Sequence, residues 1–308
     1  MRYLSPVPEL RISELALGCW RISRLNAGEV AKLIACASDC GLNFYDHADI
    51  YGDGMSEEVF GKALSGLPIT RDQVCLQSKC GINKTLGDYF FDFSKEHILA
   101  SVDGSLRRLR TDYLDVLLLH RPDALVEPQE VAEAFSQLEK SGKVRYFGVS
   151  NQSPNQIELL QAAVKQKLLF NQLQLSLMFT GMVDAGINVN MKNENSFDHD
   201  NGALDYCRLK GITVQAWSPF QYGMFEGAFV GNDKFPSVNA CLDEMALKYK
   251  VSASAVAAAW LLRHPARMQA VLGTTKAERL RDISAAAGIV LSRQDWYKLY
   301  TSAGNQLP

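Results

Sequence analysis

No two cysteines stand in a C-x-x-C arrangement, although the chain has seven. They are scattered, several inside apolar runs, so neither a zinc-binding nor a dithiol redox motif is present. Reduced, buried thiols in a cytoplasmic protein are the expectation. No apolar run approaches the roughly 20 residues needed to span a bilayer. The opening stretch, broken by prolines and charges, does not read as a signal peptide. Charge of one sign is also lacking. The formal net charge is −2, which leaves no electrostatic footprint for nucleic acid or an anionic membrane. No G-x-G-x-x-G follows an early strand, so the common dinucleotide fingerprint is missing. No histidine-rich spacing suggests a metal site, and none is expected.

What is present is an alternation. Short apolar runs occur at 14–20, 42–48, 74–80, 113–120, 144–151, 170–176, 212–218 and 269–274. They are continuous rather than alternating, as suits strands buried on both faces of a parallel sheet. Helical patterns lie between them. "GEVAKLIACASDCG" stops at Gly41. "SEEVFGKAL" offers Ser56 as N-cap, with Glu57 and Glu58 in the first turn. Ser153 and Gln156, around Pro154, form a capping-box pattern, and Thr275 with Glu278 repeats it. Two helices are expected between the seventh and eighth runs, and a last one near "SRQDWYKLYTS". With 308 residues and no linker, the pattern predicts one α/β domain over 1–308. Its architecture is a single (β/α)8 TIM barrel with an N-terminal β-hairpin and extra C-terminal helices.

In such a barrel the working face lies at the C-terminal strand ends. There the runs place Asp46, Lys79, His120, Ser150, Asn151, Gln172, Trp217, Ser218, Gly273 and Thr274. Tyrosine is a poor acid near neutrality, and an ammonium beside it stabilises the phenolate. Lys79 is expected to lower the Tyr51 pKa in this way, with Asp46 holding the lysine charged. His120 is positioned to hydrogen-bond a substrate oxygen. Together these groups suit proton delivery to a carbonyl reduced by an external hydride donor. His47 and Asp49 are read as neighbours of the site rather than members. After the eighth run, "GTTKAERLRD" combines Gly273, two threonine hydroxyls, Lys276 and Arg279 at a helix start, a pattern suited to phosphate. Trp217 offers a face for a planar ring. Trp20, Phe90, Phe91, Tyr222 and Phe225 are candidate apolar pocket residues. The loops 83–93, 177–200 and 220–230 would decide substrate choice, and the Asn-rich 177–200 segment has the composition of a mobile loop.

Over essentially its full length the chain resembles the aldo-keto reductases. "DHADIYG", "SKCG", "LLLHRPD", "GKVRYFGVSN", "FNQLQLS" and "AWSP" resemble that family's strand-end segments, in the same order. The resemblance implies NADPH-dependent reduction of aldehyde or ketone carbonyls, with NADH as the alternative cofactor. Tyr51 would be the general acid, Lys79 and Asp46 its tuning pair, and His120 the carbonyl-orienting group. Cofactor contacts would come from Gly18, Trp20, Ser150, Asn151, Gln172, Trp217, Ser218, Pro219, Gly273, Thr274, Thr275, Lys276, Arg279 and Asp282. Substrate contacts would come from Trp20, Tyr51, His120, Phe90 and Tyr222. Gly273-Thr274 stands where many members carry Lys-Ser, Asp282-Ile283 where many carry Glu-Asn, and Trp217 where many carry tyrosine. Lys276 and Arg279 are left to supply the phosphate-site charge, and Arg279 is read as favouring NADPH. A small-molecule carbonyl compound is the expected partner, and the chain a monomer or weak oligomer. A cofactor-binding barrel acting as a regulatory or partner-binding module, with little turnover, is the competing class; the intact catalytic set argues against it.

Overall fold

Leu4, Leu10 and Ile12 draw the first residues of the chain together. In the computed structural model, which describes residues 1–84 and 87–308, β1 (Tyr3–Val7) and β2 (Leu10–Ser13) pair antiparallel. The three side chains bury against Phe44, Cys75, Leu169 and Phe170, at the entry ends of later strands. The hairpin therefore closes the bottom of the barrel, as the sequence suggests.

Beyond the hairpin, strand and helix alternate. β3 (Leu15–Gly18) leads to α1 (Ala27–Asp39), which starts in a reciprocal capping box between Asn26 and Glu29. β4 (Phe44–Asp46) leads to α2 (Met55–Leu64). The expected Ser56 cap is not used. Gly52, Asp53 and Gly54 all adopt positive φ, and the helix starts directly after Gly54. Ser56 lies inside it, buried, with Oγ donating to the Trp20 carbonyl at 3.4 Å. β5 (Cys75–Cys80) is followed by a small hairpin, β6 (Ile82–Asn83) and β7 (Phe90–Phe91). Residues 85 and 86, part of the 83–93 loop singled out above, lie outside the described residues. Next come α3 (Lys95–Leu109), β8 (Leu114–Leu119), α4 (Pro128–Lys140) and β9 (Val144–Ser150). α5 (Pro154–Gln161) begins in the expected Ser153–Gln156 capping box. β10 (Leu168–Gln174) precedes the 177–200 segment, which contains α6 (Gly181–Ile187) and a short 3-10 turn. Then follow α7 (Ala203–Lys210), β11 (Thr213–Trp217), α8 (Pro236–Tyr249), α9 (Ala253–Leu262), β12 (Gln269–Leu272), α10 (Ala277–Ser284) and α11 (Arg293–Ser302). The Thr275–Glu278 capping box does not form. Lys276 occupies the cap position, and its amide is taken instead by the Thr274 hydroxyl at 3.2 Å.

Strands β3, β4, β5, β8, β9, β10, β11 and β12 pair in parallel and close into an eight-stranded barrel, with β12 returning to β3. Apolar side chains fill two spaces. Ala16, Phe44, Val116, Leu118 and Phe170 cluster inside the barrel with the hairpin side chains, and Val271 joins them from the side of the upper cavity. A larger layer lies between the strands and the surrounding helices. Helix approach is close in places. A Cβ on Gly61 in α2 would stand 2.5 Å from the Arg108 carbonyl oxygen in α3, so only glycine lets those helices meet at this distance. Among the described residues no helix is long and apolar enough to cross a membrane.

Candidate active site

The parallel register sets the site. Gly18 pairs with Asp46, Asp46 with Gln77, and Lys79 with Leu118. Asp46 and Lys79 thus emerge from adjacent strands near the top of the barrel, and His120 follows directly on β8. Tyr51 returns over them from the turn after β4. Its amide donates to the Ala48 carbonyl at 3.1 Å, and Asp49 N donates to the Lys79 carbonyl at 3.0 Å.

Lys79 is fully buried. Its ammonium donates to the Tyr51 hydroxyl oxygen at 3.0 Å and to the His47 carbonyl at 2.8 Å, and it pairs with Asp46 Oδ1 at 2.7 Å. An ammonium has three protons, and each has an acceptor here. Because the Tyr51 oxygen already accepts from Lys79, its own proton is free to point into the cavity. Asp46 is held in turn by Gln77 Nε2 at 2.6 Å and Gln172 Nε2 at 2.9 Å. Gln215 bridges Gln77, Gln172 and Gln269, and Gln269 donates to the Ser13 carbonyl at 2.7 Å. A buried amide network therefore runs from the barrel bottom up to the carboxylate.

The electrostatics differ from the sequence expectation in one respect. Burial raises the Tyr51 pKa more than the Lys79 charge lowers it, with Asp46 adding to the rise, so the net shift is upward. The phenol remains protonated at neutral pH. Burial opposes charge on Lys79, but Asp46 and Tyr51 together raise its pKa. Burial, then Lys79 and Arg121, hold His120 well below the ordinary histidine value. Its ring is neutral and lies edge-on to Tyr51, with centroids 5.8 Å apart. Among the described residues Nδ1 is buried without a partner, which leaves Nε2 to face the cavity.

A cavity of about 610 Å³ opens above these groups. Gly18, Trp20, Asp46, Tyr51, His120, Ser150, Asn151, Gln172, Trp217, Ser218, Pro219, Gly273, Thr274 and Arg279 line it. Asn151 links the fifth and seventh strand ends. Its Nδ2 donates to Ser150 Oγ at 2.7 Å, and its Oδ1 accepts from Trp217 Nε1 at 3.1 Å. Asn151 and Ser218 both adopt left-handed backbone conformations, with φ of 57° and 52°. Such strain at two strand ends on one rim is typical of binding sites. At the far end of the cavity a Cβ on Gly273 would meet nothing within 4 Å, and Arg279 is exposed in the first turn of α10. Open backbone, hydroxyls, a cation and a helix N-terminus fit a phosphate group. The donor set along the cavity therefore fits a dinucleotide lying between Asn151 and Arg279.

Some expected residues stand elsewhere. Thr275, Lys276 and Asp282 do not line the cavity. Lys276 and Asp282 are exposed beside Arg279. Phe90 is exposed on the small hairpin. Tyr222 packs on Phe235 at 4.8 Å between centroids and does not reach the lining. Its neighbour Phe225 does, against Trp20 at 5.1 Å, together with Ile50, Ile82 and Tyr89. His47 joins the site through its carbonyl only. Burial pushes its ring pKa down to about 3, and among the described residues neither ring nitrogen has a partner. Sequence reasoning missed Gln77, Gln215 and Gln269, although glutamines within apolar strand runs are a visible signal. It also missed Arg121, which follows His120 and lines the cavity.

The chain is similar to known proteins over nearly its whole length. The aldo/keto reductase family model matches residues 14–302. The chain is 37% identical to a 6-dehydroglucose reductase of Agrobacterium fabrum, covering 98% of each protein. It is 37% identical to the uncharacterized oxidoreductase YcsN of Bacillus subtilis, covering 100% of each. A crystal structure of an aldo-keto reductase from Klebsiella pneumoniae in complex with NADPH superposes with a TM-score of 0.74 at 26% identity, over 96% of this chain and 93% of that one.

Proposed function

The chain belongs to the aldo/keto reductase family, and on that premise we propose that it reduces aldehyde or ketone carbonyls to alcohols with NADPH, Tyr51 supplying the proton. The observation that carries this reading is the buried Lys79 ammonium, 3.0 Å from the Tyr51 hydroxyl and 2.7 Å from Asp46, two groups that line the cavity. Ser150, Asn151, Gln172 and Trp217 would hold the nicotinamide end. Gly273, Thr274 and Arg279, with Thr275 and Lys276 beside them, would hold the phosphate end, and Asp282 would stand near the adenine. When bound, the cofactor supplies the hydride.

The protein's own groups do the rest. His120 Nε2 and the Tyr51 hydroxyl converge on one oxygen position and orient the carbonyl. As negative charge grows on that oxygen, Tyr51 gives up its proton. The resulting phenolate is stabilised by the Lys79 ammonium already hydrogen-bonded to it. Asp46 keeps Lys79 charged and fixed. The apolar rim of Trp20, Tyr89 and Phe225 limits water at the reacting atoms.

The test is NADPH oxidation by purified protein against a panel of aldehydes and ketones, with Tyr51→Phe alongside. The expected loss in the variant is about 10²-fold or more, the scale of general acid catalysis. No turnover by the wild type, or equal turnover by the variant, would refute the reading.

A further inference from the structure

Among the described residues five arginines are half-buried: Arg2, Arg71, Arg108, Arg121 and Arg263. Four of them have acceptors. Arg2 pairs with Glu14 at 2.7 Å, Arg71 with Asp115 at 2.7 Å and Arg108 with Glu57 at 2.7 Å. Arg263 donates to the Leu291 carbonyl at 2.7 Å. Arg121 is the exception. Among the described residues no carboxylate pairs with it and no oxygen accepts from it. Its guanidinium lies over the face of Trp217, 5.7 Å from the ring centroid.

A partly desolvated guanidinium without an anion is costly to keep. Desolvation is strong enough here to push its pKa down, against the pull of Tyr51. Nearby carboxylates are engaged elsewhere. Asp46 is taken up by Lys79, Gln77 and Gln172. Asp123, two residues on, accepts from the amides of Phe93 and Leu125. Arg121 is therefore an unneutralised cation on the cavity wall, next in sequence to the group that faces the carbonyl.

We propose that Arg121 binds an anionic group of the substrate, so that the compound reduced carries a carboxylate close to its carbonyl. A planar guanidinium fork matches a carboxylate in bidentate fashion. The rest of the wall, Ile50, Ile82, Tyr89, Trp20 and Phe225, takes an apolar or aromatic remainder. This inference rests on the reductase reading, and deepens it by assigning a substrate class.

The experiment compares kcat/KM for carboxybenzaldehyde, glyoxylate and pyruvate, each against its neutral methyl ester, in wild type and Arg121→Gln. NADPH affinity is measured for both proteins by calorimetry. The wild type should prefer the acid of a pair by about 10- to 100-fold, the scale of a charge-assisted hydrogen bond. Arg121→Gln should lose that preference through KM for the acid, leaving the ester rate and NADPH affinity within about twofold. Turnover of esters as fast as acids by the wild type would overturn the proposal while leaving the reductase reading intact. So would equal loss on both substrates, or weakened NADPH binding, in the variant. No turnover of any carbonyl compound would refute the reductase reading itself.

Discussion

Replacing Lys79 by methionine separates the electrostatic role of the buried ammonium from its structural one. Met keeps most of the side-chain volume and removes all three hydrogen bonds. At 3.0 Å and an effective dielectric constant of about 20, the attraction between the ammonium and a Tyr51 phenolate is about 5–6 kcal/mol. That is a ceiling, because the resting hydroxyl already accepts from Lys79. The net value of a charge-assisted hydrogen bond, about 1.5–3 kcal/mol, sets the floor. Between them, kcat for reduction should fall about 10²- to 10³-fold. Stability falls as well. Asp46, 2% exposed, is left without a cation, and breaking a buried pair costs about 3–5 kcal/mol. Gln77 and Gln172 still donate to it, which favours the lower end. A thermal midpoint lowered by about 6–12 °C follows, at roughly 2–4 °C per kcal/mol. Adding Asp46→Asn removes the stranded charge, so the double variant should regain most of the lost midpoint and none of the lost rate. NADPH oxidation and a thermal melt on the three proteins suffice. A Lys79→Met enzyme within threefold of wild-type kcat would refute the reasoning. So would a double variant that recovers activity together with stability.

The direction of the Tyr51 shift gives a second expectation. Its pKa lies above the ordinary 10.0, so the reduction rate should stay flat through neutral pH and decline only above 10.0, where the proton donor is lost; an alkaline limb centred near neutrality in kcat against pH would contradict it. Asp49 is the third case. Burial, then the charge of Glu57, raise its pKa to about 7 from 3.8. A raised folded-state value favours the fold below pH 3.8, and that benefit disappears as pH rises through about 7. Asp49→Asn should therefore stabilise the protein at pH 8, by an amount on the order of a few kcal/mol, with the gain shrinking toward acid in denaturant melts run at several pH values. Fourth, Arg279→Gln should raise KM for NADPH by about 10-fold or more and leave KM for NADH nearly unchanged, since only one of the two carries the extra phosphate. Equal effects on both cofactors would remove Arg279 from phosphate recognition. Lastly, Gly61→Ala should cost about 1–3 kcal/mol in thermal melts, because the added Cβ meets the backbone of α3 at 2.5 Å.

The barrel was legible because its signals are local. Each apolar run between helical patterns is a strand, and the strand-end residues follow from that assignment. Helix starts were less legible. Ser56 and Thr275 are good capping residues by type, yet Gly52 and Gly54, with positive φ, begin α2 early, and the Thr274 hydroxyl takes the Lys276 amide before α10. Competing turn chemistry decided both. The upward Tyr51 shift was hidden for a different reason. A sequence shows that a lysine stands nearby, but not how far the surrounding protein desolvates the phenol, and here burial outweighs the charge. Phe90 stands on the two-residue strand of a small hairpin and Tyr222 on a loop, and no periodicity records which way either points. His47 lends a carbonyl, a group every residue possesses, so its side chain gave no clue.

The buried charges explain why the interior of this barrel is so polar. A lysine and an aspartate removed from water are tolerable only if every proton and lone pair finds a partner. Lys79 reaches that condition with Asp46, Tyr51 and the His47 carbonyl. Asp46 needs donors from within the barrel, and Gln77 and Gln172 provide them. Glutamines buried for this purpose have carbonyls and amides of their own to satisfy, which brings in Gln215, then Gln269, and finally the Ser13 carbonyl at the end of the closing hairpin. The chain of amides is thus a consequence of placing an ammonium beneath Tyr51. It accounts for mid-strand glutamines that a purely structural barrel would replace with valine or isoleucine. Gln77→Leu should then loosen Asp46 without removing any charge. Its signature would be a moderate fall in kcat at unchanged KM, together with an altered high-pH limb, since Lys79 would hold Tyr51 less firmly. A fall in stability alone, with kcat and the pH profile intact, would show that the network serves packing and not the acid.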